Sequence, residues 1–107
     1  MALTVTQLAD GQLAAAKGTL YTTPASTQTI VRSIILVNTS TSDVTANIYM
    51  CPSGGTSRRI GPKDFTILAE GMAILDDVYS LDTGDLIEGD ASSATTVDYT
   101  IYGVQNA

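Results

Sequence analysis

The stretch Thr29–Ser40, TIVRSIILVNTS, places the strongest demand on any fold this chain can adopt. Read as an extended strand, its odd positions carry Val31, Ser33, Ile35 and Val37. Its even positions carry Ile30, Arg32, Ile34 and Leu36, so both faces are largely apolar. A strand with one wet face alternates apolar and polar side chains; this one asks for cover on both sides. The rest of the chain is strand-like as well. Turn-forming Gly, Pro, Ser, Asn and Asp recur about every ten residues, between segments rich in Val, Ile, Thr and Tyr, which is the spacing of an all-β sandwich or barrel.

Along the chain, LTVTQLA reads as a strand that turns at Asp10-Gly11, and the alanines of QLAAAK favour a helical turn. Residues 1–18 are therefore expected to form an N-terminal arm or a further strand. TLYTTP ends at Pro24, and the long strand Thr29–Asn38 stops at TSTSD, where Ser, Thr and Asp side chains bond the backbone locally. Val44–Cys51 alternates Val44, Ala46, Ile48 and Met50 against Thr45, Asn47, Tyr49 and Cys51, and is expected to lie antiparallel beside the long strand. A tip at PSGGTS, short extended pieces around Gly61-Pro62, MAILDDVYSL, a turn at Asp82–Asp85, DLIEGDAS and the closing TTVDYTIYGV complete the reading. The expectation is one domain over 1–107, an antiparallel, jelly-roll-like β-sandwich of about eight short strands. One face of Thr29–Ser40 then packs in the core. The other is covered by a neighbouring subunit, which makes Arg32, Ile34 and Leu36 candidate contact residues, or by Gln12–Lys17 folded across it as a short helix.

At 107 residues the chain has room for a single core, and extra apolar surface can be satisfied by a neighbour. Charge is polarised: all five basic residues precede Glu70, so the first 69 residues carry +2 and the last 38 carry −8. Such a chain can oppose unlike charges where subunits meet. Without clustered Lys and Arg free of carboxylates it lacks the footprint of a nucleic-acid binder. No segment has the run of roughly 18 apolar residues that a membrane helix needs, and no secretion signal is legible, so synthesis in the cytoplasm is expected. Cys51 is alone, which rules out an intrachain disulfide.

Little here supports chemistry. With no His there is no Ser-His-Asp or Cys-His arrangement, and zinc loses its commonest ligand. Asp76 and Asp77, adjacent in a strand, would point to opposite faces and not share a site. Asp82, Asp85, Glu88 and Asp90 fall within DTGDLIEGD, but not at the spacing of a calcium loop, and a turn followed by solvated acids explains the same letters. Five tyrosines suggest a sugar-stacking platform as one alternative and ordinary strand and interface residues as the other. No motif calls for a cofactor.

The segments LYTTPASTQTIVRSIILVNTSTSDVTANIYM and RRIGPKDFTILAEGMAILDDVYSLDTGDLIEGDAS resemble a group of small tailed-bacteriophage virion proteins. The shared parts are Leu-Tyr-Thr-x-Pro at Leu20–Pro24, Val-Asn-Thr at Val37–Thr39, Leu-x-x-Gly-Asp-x-Ile-x-Gly at Leu81–Gly89, and a closing strand at Val97–Val104. The resemblance implies a β-sandwich subunit without enzyme activity, either a decoration (cement) protein on the capsid exterior or a small tail, baseplate or head-tail accessory protein. It also implies a homo-oligomer, with a trimer favoured, whose partner is the major capsid protein or another virion protein. Given the polarised charge, Arg58, Arg59 and Lys63 would meet acidic capsid surface, and the acidic region from Asp76 to Asp90, Asp77 included, would face outward or meet a basic neighbour. A carbohydrate-binding module on the virion is the remaining alternative.

Overall fold

The computed structural model describes residues 3–107. Ten strands follow one another: β1 (Leu3–Gln12), β2 (Gly18–Thr22), β3 (Gln28–Asn38), β4 (Val44–Cys51), β5 (Arg58–Arg59), β6 (Phe65–Ile67), β7 (Met72–Leu75), β8 (Tyr79–Leu81), β9 (Leu86–Ala91) and β10 (Val97–Asn106). They form two five-stranded sheets. The first runs β1-β10-β3-β7 with β8 also on β3, and the second runs β2-β9-β4-β5 with β6 also on β4. Because β7 and β8 share one flank of β3, and β5 and β6 one flank of β4, the ten strands fill eight positions. From β1 to β4, and again from β6 to β10 with the β7–β8 pair taken as one position, the chain alternates between the sheets. That path is a jelly roll.

Two bulges, on the strands either side of β10, shape the first sheet. Opposite β10, the register of β3 steps from Ser33 to Val31, leaving Arg32 as the extra residue. A bulge of this kind changes which parity faces inward. The inward residues of β3 are accordingly Thr29 and Val31 before it and Ile34, Leu36 and Asn38 after it. On the other side of β10, Leu8 is the extra residue of β1, between Gln7 and Ala9. The apparent double-apolar strand is thus two half-strands with their apolar faces on opposite parities. In the second half Ile35 and Val37 are half-buried on the outer side.

Several expectations are corrected. Asp10-Gly11 is no turn: β1 continues through it because Gly11 leaves room for the Tyr99 ring, which lies within 3.2 Å of where a Cβ would stand. Gln12–Lys17 does not form a helix over β3. Gln12 ends β1, and the following segment crosses between the sheets, with Leu13 fully buried and its amide donating to the Val97 carbonyl at 2.9 Å. Β-strand β4 does not pair with β3. It belongs to the second sheet, between β9 and the β5–β6 flank, because TSTSD carries the chain across the sandwich and does not fold it back. Residues 1 and 2 of the expected arm lie outside the described residues.

One hydrophobic cluster fills the space between the sheets, with Val31, Ile34, Leu36, Val97 and Ile101 from the first facing Ile48, Ile67 and Ile87 from the second. Polar links cross it. The Tyr21 hydroxyl on β2 lies 2.9 Å from Thr29 Oγ1 and accepts from Gln105 Nε2 at 2.9 Å. At the β3–β4 corner the buried Asn38 amide donates to the carbonyls of Ser42, Ile67 and Leu68 and accepts from the amide and hydroxyl of Ser40. A buried amide is tolerated only when so satisfied.

Candidate functional site

The outer face of the first sheet is the part of the molecule that departs furthest from an ordinary solvated surface. Its residues follow from the registers. On β1, Leu3 and Val5 point outward opposite Asn106 and Val104. On β3 the outward residues are Ile30, Arg32, Ile35 and Val37, and on β7 they are Met72 and Ile74, which pair directly with Val37 and Ile35. Leu3 is 72% exposed, Val5 85%, Met72 56% and Ile74 53%, with Ile30 and Tyr102 also exposed. Arg32, the extra residue of the β3 bulge, lines a shallow depression with Val5, Gln7, Tyr102 and Val104. The apolar face therefore carries one guanidinium near its centre, while Asp98 with Gln12, hydrogen-bonded at 3.1 Å, mark its polar end.

The outer face of the second sheet has the opposite character. Asn47 and Tyr49 point away from the core yet are buried, because side chains fold over them. The Asn47 amide donates to Asp64 at 2.8 Å and Asp90 at 2.9 Å, and its carbonyl accepts from Arg59 Nε at 3.1 Å and the Asp64 amide at 2.8 Å. The Tyr49 hydroxyl donates to Asp90 at 2.8 Å, and the Lys17 ammonium and Arg59 guanidinium lie 4.8 Å and 5.3 Å from its ring centre. Burial, then the hydrogen bond to Asp90, holds the Tyr49 phenol above its ordinary pKa, against the pull of Arg59. The arrangement is internally satisfied and offers no free aromatic platform.

The anticipated residues are dispersed. Ile34 and Leu36 have no accessible surface and lie in the sandwich core, so they are not contact residues; the β3 bulge, unreadable from period-two alternation, turned them inward. Arg32 stands on the outer face of the first sheet. Arg58 and Arg59 form β5 at the far flank of the second sheet, where Arg59 is turned back onto Asn47 and Tyr49. Lys63 is exposed in the loop before β6, and Asp76 and Asp77 are exposed between β7 and β8 beside the exposed Val78. Sequence reasoning misses Leu3, Val5, Met72 and Ile74; the signal for the last two is that MAIL is apolar on both parities, so one face of that strand has to lie outside the core.

The carboxylates of DTGDLIEGD serve the backbone and the outer face. Asp85 accepts from the amides of Asp82 at 2.9 Å and Ser53 at 2.8 Å, fastening the turn at Gly84, while Asp90 holds Asn47 and Tyr49. Among the described residues no three acidic or Cys side chains converge as a metal site. Of the tyrosines, Tyr21, Tyr49 and Tyr99 are buried and Tyr102 is exposed.

Comparison with protein families and with curated sequences finds no match. Among solved structures, the chain is similar to a chain in the structure of infectious bursal disease virus, Gx strain, with a TM-score of 0.55 at 13% identity over 97% of this chain. The VP2 subviral particle of the same virus gives 0.48 at 14% identity. This chain spans 32% and 31% of those two chains. At such identity the likeness to the first of these is one of fold alone.

Proposed function

We propose that this chain is a non-enzymatic structural protein of a virion, and within that class a decoration protein that binds the exterior of an assembled tailed-bacteriophage head and stabilises it. The observation that carries the reading is the apolar outer face of the first sheet. A jelly roll needs one apolar face from each sheet for its core. A second apolar face on one sheet, rimmed by polar residues, fits a sheet that is covered in the working assembly. The fold likeness to a virus particle and the resemblance of Leu20–Pro24 and Leu81–Gly89 to phage virion proteins support the same role.

The mechanism is binding alone. Each copy covers apolar surface on the major capsid protein or a neighbouring virion protein, and many modest contacts on a repeating lattice give a large collective stabilisation. Arg32, desolvated within the covered face, would require a carboxylate or carbonyl opposite it, which fixes orientation. Arg58 and Lys63 remain available to an acidic capsid surface, whereas Arg59 serves its own sheet.

Co-sedimentation with undecorated phage heads tests the reading. Saturation at a fixed stoichiometry, lost on Ile74→Lys and retained on Thr66→Lys, is the expected result. Indifference to heads, with binding to tails or baseplates, would move the protein to the accessory class.

A further inference from the structure

We infer that β1 is a pairing edge for a second copy of this chain, the two β1 strands running antiparallel about a two-fold axis so that two first sheets become one continuous sheet. The flanks of the two sheets differ in how they are protected. A free strand edge presents unpaired amides and carbonyls, and folds suppress unwanted pairing with short strands, charge, Pro or bulges. Three of the flanks here carry such devices. β7 and β8 have four and three residues, with Asp76 and Asp77 between them. β5 and β6 have two and three, with both arginines of β5 and Pro62. β2 has five, with a register break at Leu20 and Pro24 just beyond.

β1 has none of them over its first half. It is ten residues long and, among the described residues, pairs with β10 alone. Leu3–Gln7 is regular and contains no charge, Gly or Pro, and the bulge at Leu8 ends the regular run. The occupant follows from the edge itself: uncharged and regular over Leu3–Gln7, it is complementary to its own copy in antiparallel register. A register centred on Val5 sets Val5 against its own copy, Leu3 against Gln7 and Thr4 against Thr6. The two outward Val5 side chains, the most exposed apolar groups of the sheet, then meet across the seam, with each Leu3 diagonal to the partner's Val5 and opposite the partner's Gln7. Asp10, the one charge on β1, lies beyond the bulge, so the two-fold carries the two carboxylates to opposite ends. An isologous seam of this kind closes at two copies.

The inference stands apart from the virion role and is tested without a capsid. Light scattering over a concentration series is expected to give the mass of two chains, dissociating on dilution. Val5→Lys, at a position exposed enough to leave the fold intact, is expected to weaken association by at least about tenfold. In a Cys51→Ser background, Val5→Cys is expected to form an interchain disulfide and Ile74→Cys is not. Hydrogen exchange on the unmodified protein supplies a measurement that needs no variant, with the amides of Leu3–Gln7 slowing on dimerisation. A monomer at every concentration, a mass of three chains, or a dimer that Val5→Lys leaves unchanged would overturn it.

Discussion

The Ile30 carbonyl oxygen occupies the place where a side chain on Gly103 would begin. A methyl of Leu8 stands 2.8 Å from the same point. Gly103 adjoins the β3 bulge, opposite the step from Ser33 to Val31, and the β1 bulge lies one residue away, opposite Tyr102 and Ile101; together those bulges set the inward and outward faces of the first sheet. Gly103→Ala therefore cannot be absorbed by a rotamer change, since the obstruction is backbone. It is expected to cost about 3 kcal/mol or more, read as a fall in the urea midpoint.

The bulge at Arg32 makes a second prediction. Leu36→Ala removes a core side chain and is expected to cost about 2–5 kcal/mol. Ile74→Gln, on the outer face, should change stability by no more than about 0.5 kcal/mol while reducing retention on phage heads. Equal effects on stability would contradict the face assignment.

Asn38 ties the β3–β4 corner to the loop after β6. Replacing it with Ala leaves the carbonyls of Ser42, Ile67 and Leu68 without that donor. A loss of about 2–4 kcal/mol is expected, and hydrogen exchange should quicken first at residues 38–44 and 67–71.

The raised tyrosines predict the alkaline limit of stability. Burial lifts Tyr49, Tyr79 and Tyr99 above their ordinary value, assisted by Asp90, Asp77 and Asp10 respectively. A folded-state pKa above the unfolded one means the native state keeps the proton longer. Its contribution is complete below the unfolded value and is lost as pH rises through the folded one. Stability is thus expected to decline above about pH 10, less steeply in Tyr49→Phe. The same variant should cost about 1 kcal/mol at neutral pH for the bond to Asp90. Denaturation followed at several pH values checks both.

Much of the architecture was legible because it rests on local rules. The alternation of Val44–Cys51 appears intact in β4, and the Asp82–Asp85 turn forms around Gly84 with Asp85 capping it. The candidate surface was less so. Ile34 and Leu36 looked like contact residues because period-two counting carries one parity through a whole strand, and one inserted residue reverses it. Arg59 looked free because nothing near it in sequence reveals that Asn47 and Tyr49 lie beneath it on the adjacent strand.

By itself, then, the sequence determined an all-β sandwich of short antiparallel strands and excluded histidine-based catalysis, since composition, turn chemistry and alternation act within a few residues. Tertiary structure decided which sheet β4 joined, which side of β3 faced the core, and which edge remained open. Those outcomes depend on strand neighbours distant in sequence, above all on β10 closing between β1 and β3 at Gly103. Register and bulges are properties of a pair of strands, and no single segment encodes them.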